Sequence, residues 1–264
     1  MPLTVRQHYV PRVYLRAWSN AKGYLTVYDK HEDKQFPATP ENVFLERNYY
    51  EDPKLEPSNE LEKKFEAYES AFRPTRDFLT FVERNAIEIG QPVAETLASA
   101  LMSLPKRAIS LKEFAGTAYF RTPGALKAMR DQLTEDHNSD AARALEKLTS
   151  PYVLGTQAFE STLLERFRQL HMAVFHSPEQ RLHTGDWPCF PVAGGTGHAN
   201  FGYDIGRHGA AMAVMALTPT IALAFLPNLK DRDPIVIPGT MSADLARQTN
   251  ERVSEAAARW VVRG

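Results

Sequence analysis

The feature that most constrains the fold is an uncharged stretch, GAAMAVMALTPTIALAFLP, at residues 209–227. A membrane-spanning helix needs about 20 consecutive apolar residues, so the length alone would permit a transmembrane segment. The centre of the stretch reads Thr218-Pro219-Thr220, and a proline there interrupts a helix but suits a turn between two strands. The apolar run on each side has the length of a buried strand. We therefore predict a β-hairpin and no association with a membrane.

The middle of the chain carries helical periodicity. Ser58 is an expected N-cap for NELEKKFEAYESAF, in which Leu61, Phe65, Tyr68 and Phe72 recur at helical spacing. Three glutamates of the same segment, Glu62, Glu66 and Glu69, share another face. Further helices are predicted at 94–104, 111–120, 124–133, 141–148 and 157–170, with breaks at Pro105 and Pro123.

Strand signals flank this helical part. YLTVYD at 24–29 is β-rich, and short β-rich runs bounded by Gly and Pro follow at 172–177, 180–185, 211–218, 220–226 and 234–238. The chain ends on MSADLARQTNERVSEAAARWVV, which predicts a helix with an N-cap near Ser242. Helices gathered in one part and strands in another indicate an α+β protein. We predict a helical half packed on an antiparallel sheet, joined by the strand at 24–29 and closed by a long C-terminal helix.

The chain has no internal repeat and no low-complexity linker, so one domain is predicted over residues 1–264. Within it we distinguish an N-terminal motif and strand (1–50), a helical half (51–171), and the sheet with the terminal helix (172–264).

The charge balance excludes an attraction of the whole surface to nucleic acid or to an anionic membrane. The chain has 31 Lys plus Arg against 32 Asp plus Glu, a net charge of −1. Any recognition of an anion must therefore come from a local cluster. The single cysteine, Cys189, excludes an internal disulfide and fits a reducing compartment. No apolar run follows the opening MPLTVRQ, so we expect no signal peptide and a cytoplasmic location.

The opening stretch RQHYVPRVYLRAWS, residues 6–19, is unusually rich in Arg and aromatic residues. Pro11 disfavours helix at the residue before it and suits the first position of a helix, so His8 is expected on extended chain. Arg12 and Arg16 would then project together, beside free helix N–H groups, an arrangement suited to holding an anion. A structural alternative stays open. In it the helix docks by Val13, Tyr14, Ala17 and Trp18, the arginines pair with surface carboxylates, and a backbone carbonyl satisfies the histidine.

The same stretch resembles the opening of a bacterial family named domain of unknown function 4238, whose members begin with a sequence like HHYVPRFYLRRF. The similarity continues at intervals over almost the whole chain, in YLTVYDK, LEKKFEAYES, YFRTP (119–123), LHTGDWP (182–188), VMALTPTIALAF and TNERVSEAAARWVV. Gly185 and Trp187 stand where the family has Ser and Asn. The resemblance implies no established activity, but it nominates site residues.

The nominated residues have chemistry suited to a phosphate or carboxylate ligand. His8 and Asp186 are the candidate catalytic residues, with His8 as general acid or base and Asp186 orienting His8 or a metal. Arg12, Arg121 and Asn250 are the candidate substrate-binding residues, the two arginines through planar donor forks. Each has a structural alternative. Arg121 could pair at a helix C-terminus, Asp186 could bond its own turn, and Asn250 could tie the C-terminal helix to another segment.

Other patterns in the sequence are weaker evidence for a function. No Cys and His cluster has zinc spacing, so no metal ligands are predicted and the cofactor stays undetermined. GGTGHANFG at 194–202 lacks the Lys and the following helix of a phosphate-binding loop. Arg166 and His171 match the spacing of one class of helical ribonucleases, but Arg130 and His137 match it too, which indicates chance.

Three functions are compatible with these residues. The first is a hydrolase acting on nucleic acid or a nucleotide, a phosphodiesterase or nuclease. The second is a non-catalytic module that binds a small anion or nucleotide at the same cluster, and the third is a protein-interaction module. The expected partner is a nucleotide or nucleic-acid ligand at a local site, and the sequence leaves the oligomeric state undetermined.

Overall fold

The computed structural model describes residues 5–52, 54–128, 150–160, 163–193, 211–228 and 233–264. Helices and three sheets within these ranges give a mixed α+β architecture, which confirms the predicted class. The helix predicted at 141–148, the second half of that at 124–133, and the glycine-rich segment at 194–202 lie outside the described residues.

The described helices lie near the predicted positions, but several bounds differ. The helix predicted at 59–72 continues to Glu88, and the one predicted at 111–120 begins at Pro105. Two helices, Pro151–Glu160 and Leu163–Gln169, lie where one was predicted at 157–170. The described helices are α1 (Arg12–Leu15), α2 (Glu60–Glu88), α3 (Val93–Ser103), α4 (Pro105–Phe120), α5 (Pro151–Glu160), α6 (Leu163–Gln169) and α7 (Ala243–Ala256). A 3₁₀ turn, Arg16–Trp18, follows α1 directly, and residues 123–128 are also helical.

Helix α2 is the longest described element and carries the predicted apolar face. Leu61, Phe65 and Phe72 are buried, as their spacing predicts, whereas Tyr68, the fourth member of the predicted face, is only partly buried. The N-cap is Asn59, which lies in the left-handed region at φ 56°, and the hydroxyl of Ser58 accepts from the N–H of Glu60. The predicted start is therefore right to within one residue.

The strands are β1 (Arg6–His8), β2 (Leu25–Asp29), β3 (Lys34–Ala38), β4 (Leu45–Arg47), β5 (His171–His176), β6 (Thr184–Gly185), β7 (Cys189–Ala193), β8 (Ala211–Ala216), β9 (Ile221–Leu226), β10 (Val236–Thr240) and β11 (Trp260–Arg263). They form a two-stranded sheet (β1-β4), a five-stranded sheet in the order β10-β5-β9-β8-β7, and a four-stranded sheet in the order β3-β2-β11-β6.

The hairpin predicted from the uncharged stretch is confirmed. Strands β8 and β9 pair antiparallel, with Ala213 opposite Phe225. Thr218 closes the turn, since its hydroxyl accepts from the N–H of Ile221 at 3.0 Å. Ile221 and Phe225 are fully buried inside the protein. Among the described helices, none combines the length and the apolar character needed to span a membrane.

Two details of the predicted sheet are wrong. Strand β2 was expected in the main sheet, but it pairs with β3 and β11 in the separate four-stranded sheet. The five-stranded sheet is also not purely antiparallel, because β10 runs parallel to β5, with Val236 opposite Met172. The connection between β9 and β10 explains the parallel pairing. Strand β9 ends opposite His171, at the start of β5, and β10 begins at that same end, so β10 runs in the direction of β5.

The closing element is a strand and not the long helix that the sequence predicts. Helix α7 begins at the expected place, where the Ser242 hydroxyl accepts from the N–H of Leu245. It ends at Ala256, and Ala257 turns to an extended conformation. Strand β11 then pairs with both β2 and β6, which places Trp260 opposite Asp29. The C-terminal segment therefore completes a sheet.

Candidate functional site

The opening motif is anchored in the core by its aromatic side chains. The hydroxyl of buried Tyr14 donates to the carbonyl of Ala216 at 2.6 Å and lies 2.7 Å from the hydroxyl of Thr184. Trp18 donates through Nε1 to the carbonyl of Leu182 at 2.9 Å. These bonds connect the motif to residues of both larger sheets. The predicted docking of this side of the motif is confirmed.

The strand before this helix is fixed by a buried amide. Gln7 is fully buried, its Oε1 accepts from the N–H of Tyr50 at 2.7 Å, and its Nε2 donates to Glu51 at 2.7 Å. His8 follows on the same strand, opposite Leu45 of β4. The expectation of extended chain at His8 is confirmed. Strand β1 thus sets the orientation of His8 relative to the start of α2.

His8 is a partly buried, uncharged imidazole. Its Nε2 is buried and has no hydrogen-bond partner among the described residues. Burial, followed by the nearby charge of Arg12, lowers the pKa of His8 to about 4, although the backbone of Pro40 and Glu41 opposes this. The side chain is therefore neutral at pH 7, with an unused ring nitrogen.

Arg12 is exposed on α1, and its guanidinium has no hydrogen bond or ion pair with the rest of the described chain. It lies within electrostatic range of His8 on one side and of Glu62 on the other. Arg16, by contrast, pairs with exposed Glu41 at 3.1 Å, which is the structural alternative for that residue. Helix α1 is a single turn, so the expected contribution of a helix dipole is small.

Glu62 is the acidic member of the site, and only its place on the glutamate face of α2 drew attention to it in the sequence. Burial raises the pKa of Glu62 to about 7, and the charges of Arg121 and Arg12 oppose this shift. A carboxyl group with a pKa near neutrality can take up and release a proton at pH 7. Sequence reasoning missed this role because burial is a tertiary property.

Arg121 is held inside the protein at the end of α4. It is 2% exposed, its Nη2 donates to Glu69 of α2 at 2.9 Å, and its guanidinium lies 4.5 Å from the ring centre of Phe65. The Nε is buried without a hydrogen-bond partner in the described part of the chain. Burial alone would lower the pKa of Arg121, but Tyr50 and Glu69 raise it, so the side chain stays charged.

These five residues, His8, Arg12, Glu62, Glu69 and Arg121, are termed the motif cluster. Electrostatic interactions connect them in series, from His8 to Arg12, from Arg12 to Glu62, and from Glu62 to Arg121 and Glu69. The structure therefore brings together three of the five residues nominated from the sequence. Over the described ranges, no group of three or more His, Cys, Asp or Glu side chains could hold a metal ion.

Asp186 is tied into the fold. It is 1% exposed, and its carboxylate accepts the backbone N–H groups of Ala258, Arg259 and Trp260 at 2.7, 2.7 and 2.9 Å. These bonds shape the turn from α7 into β11. Among the described residues, the carboxylate has no hydrogen bond to the opening motif, and its charge is one of the causes that raise the pKa of Tyr9, after burial. The expected self-bonded turn is thus replaced by bonds to a distant segment.

Both the oxygen and the nitrogen of the Asn250 side-chain amide form hydrogen bonds. Its Oδ1 accepts from the N–H of His183 at 2.7 Å, and its Nδ2 donates to the carbonyl of Arg181 at 2.9 Å. The side chain is 6% exposed. Asn250 therefore ties α7 to the segment before β6, as its structural alternative predicts.

Gly185 and Trp187 of the LHTGDWP segment fit the local packing. A Cβ atom on Gly185 would lie 3.0 Å from the Trp260 carbonyl oxygen. Trp187 is 5% exposed and donates through Nε1 to the carbonyl of Tyr119. Its side chain lies against Gly124, where a Cβ atom would come within 2.6 Å of the Trp187 Cβ. The indole therefore occupies space that a glycine leaves open.

Comparison with protein families gives one result. The family model described as Protein of unknown function (DUF4238) matches residues 6–264, essentially the whole chain. Neither the curated proteins nor the solved structures provide a match. The function must therefore be argued from the site itself.

Proposed function

The chain belongs to the DUF4238 family, and we propose that its motif cluster binds and hydrolyses a phosphate ester of a nucleotide. The observation that carries the proposal is Glu62, a half-buried carboxyl group whose pKa burial raises to about 7, within electrostatic range of two arginines. A nucleotide fits better than a long nucleic acid, because the net charge of −1 provides no field outside the cluster.

Arg12 supplies the phosphate contact. Its guanidinium is exposed and has no protein partner in the described structure, so its donor fork is free to bind phosphate oxygens. Arg121 supports the site from inside, where it pairs with Glu69 and lowers the pKa of Glu62. Without that charge the Glu62 pKa would lie higher, and less carboxylate would be present at pH 7.

Glu62 acts as the general base. The carboxylate accepts a proton from a water molecule as the water oxygen bonds to phosphorus, and the ester P–O bond breaks. Solvent protonates the departing oxygen, and Glu62 returns its proton to solvent. His8 is neutral and its Nε2 is buried, so it does not transfer the proton in this proposal.

Asp186 and Asn250 take positioning roles in this proposal. Both side chains bond backbone groups that lie far away in the sequence. Asp186 holds the turn into β11, and Asn250 ties α7 to the segment before β6.

A non-catalytic binding module at the same cluster is the second candidate. One observation favours it, namely that Arg121 is 2% exposed and pairs with Glu69, so one of the two arginines is used within the protein. Such a module would bind the nucleotide through Arg12 and leave it intact.

The experiment measures binding and turnover on the same preparations, with bis(p-nitrophenyl) phosphate and a panel of nucleotides as probes. Glu62→Gln should lower kcat at least about 100-fold, the usual contribution of a general base. Arg12→Ala should raise KM about tenfold, the equivalent of one weak charge-assisted bond. Glu88→Gln and Arg84→Ala are the matched controls, since both residues are exposed on α2.

The outcomes separate the candidates. Turnover that rises with pH through about 7 and disappears in Glu62→Gln supports the hydrolase. Binding without turnover, removed by Arg12→Ala but not by Arg84→Ala, supports the module. Absence of both binding and turnover contradicts the two proposals together.

A further inference from the structure

A second polar site lies in a pocket whose lining includes no residue of the motif cluster. The pocket has a volume of about 410 Å³ and is lined by Arg76, Asp77, Thr80 and Glu83 of α2, by Arg181, and by the 218–220 turn. Arg76, Thr80 and Glu83 are spaced by four and three residues, so they lie on one face of the helix. The volume is in the range of small-molecule sites.

Glu83 is an acceptor without a donor. The residue is 8% exposed, and its Oε1 is buried with no hydrogen-bond partner among the described residues. The nearest cationic candidate is the Nε2 of His176, at 3.5 Å. Burial lowers the pKa of His176 despite the charge of Glu83, so the imidazole is neutral at pH 7. The carboxylate therefore lacks a compensating charge on the His176 side.

The pocket lining also contains an arginine whose charge has no partner within the described residues. Arg181 is exposed, and its guanidinium has no ion pair or hydrogen bond within the described ranges. Arg76 differs, because it donates to the carbonyl of Val13 and to the carboxylate of Asp77. Arg76 and Asp77 thus satisfy each other. Among the described residues of the pocket lining, Glu83 thus has a buried carboxylate oxygen without a hydrogen bond, and Arg181 has a guanidinium without a hydrogen bond or ion pair.

We propose that this pocket binds a small zwitterion of the α-amino-acid class, with its ammonium group on Glu83 and its carboxylate on Arg181. A simple cation would leave Arg181 unused, and a simple anion would lie beside the unpaired carboxylate of Glu83. A zwitterion satisfies both groups and leaves the Arg76–Asp77 pair intact. The 218–220 turn also lines the pocket.

The test uses the full chain and the twenty common amino acids as probes at millimolar concentration. Thermal unfolding and calorimetric titration should find at least one amino acid that binds and raises the melting temperature. Glu83→Gln and Arg181→Ala should each weaken this binding about tenfold or more, as loss of a charge-assisted bond predicts. Glu88→Gln and Arg84→Ala, on the same helix but outside the pocket, should bind as the wild type does.

Several results would overturn the proposal. One is that no amino acid binds, and another is that Arg181→Ala binds as tightly as the wild type. A third is that methylammonium or acetate alone binds as well as the amino acid. Because Arg181 is exposed, its variant should fold even if Glu83→Gln does not. Arg12→Ala should leave amino-acid binding unchanged, so failure at this pocket is distinguishable from failure at the motif cluster.

Discussion

Arg121 donates through Nη2 to Oε1 of Glu69 at 2.9 Å, and only 1% of the arginine side chain is exposed. The pair joins the end of α4 to the middle of α2 and makes Arg121 a part of the fold as well as of the motif cluster. A substitution of Arg121 should therefore change the stability of the protein as well as ligand binding, since the loss of one member of an inward-facing ion pair is costly.

We therefore expect Arg121→Ala to lower the free energy of unfolding by about 2 to 5 kcal/mol, because it removes a fully buried side chain and leaves the partly exposed carboxylate of Glu69 without its partner. Urea unfolding measures this directly. Arg84→Ala is the control and should change stability by less than about 0.5 kcal/mol, as exposed positions do. A loss below about 1 kcal/mol for Arg121→Ala would show that the pair contributes no more than a surface ion pair.

Asp186→Asn should destabilise the turn between α7 and β11. The carboxylate accepts three backbone N–H groups, whereas an amide has one oxygen and directs its NH₂ group at one or more of the same donors. We expect a loss of about 1.5 to 3 kcal/mol, the value of a hydrogen bond to a charged group. Asp244→Asn, at an exposed site, is the control. Equal effects in the two variants would contradict a structural role for Asp186.

The stability of the protein should depend on the ionisation of Glu62. Burial raises its pKa from 4.5 to about 7, so between these values the folded protein holds a proton that the unfolded chain has released. This contribution to stability is complete below pH 4.5 and is lost as the pH rises through about 7. Glu62→Gln keeps the neutral form at every pH.

Denaturant unfolding of both proteins from pH 4.5 to pH 8 should then show a difference that grows in favour of Glu62→Gln and levels off above pH 7. Glu88→Gln should show no such trend. A constant difference over this range would mean that Glu62 has an ordinary pKa.

Gly124 and Trp187 should be energetically coupled. A methyl group at position 124 would stand 2.6 Å from the Trp187 Cβ, closer than packed atoms allow. We expect Gly124→Ala to cost about 1 to 3 kcal/mol, as overpacking does. In a Trp187→Ala background the same change should cost less, and a double-mutant cycle by thermal unfolding measures the coupling. Additive effects would disprove the steric explanation.

Several elements follow from a few adjacent residues and were predictable. The Thr218-Pro219-Thr220 turn between two apolar runs predicts the hairpin, and the spacing of Leu61, Phe65 and Phe72 predicts the buried face of α2. Ser242 marks the start of α7 for the same reason, because a cap depends on the next three residues. The end of α7 was not predictable, since it depends on bonds from Asp186 to residues 258–260.

The residues of the candidate site also divide into those that the sequence indicates and those that it does not. The opening motif, the RTP element and the charged residues they contain were evident in the sequence, and three of the five nominated residues meet in the motif cluster. The tie that Asn250 makes was foreseen as its structural alternative. The bonds of Asp186 to residues 258–260 and the near-neutral pKa of Glu62 were not foreseen, because each environment is built by segments distant in the chain.

The α+β class, the hairpin, the helical faces and the family could all be predicted from the amino-acid sequence, because periodicity, turn chemistry and motifs are local properties of the chain. Three features became evident only in the folded protein: the C-terminal segment ends as a strand, Glu62 is partly buried, and Glu83 and Arg181 line one pocket. Burial, strand pairing and the electrostatic environment of a side chain depend on which distant segments pack around it, so no local pattern can reveal them.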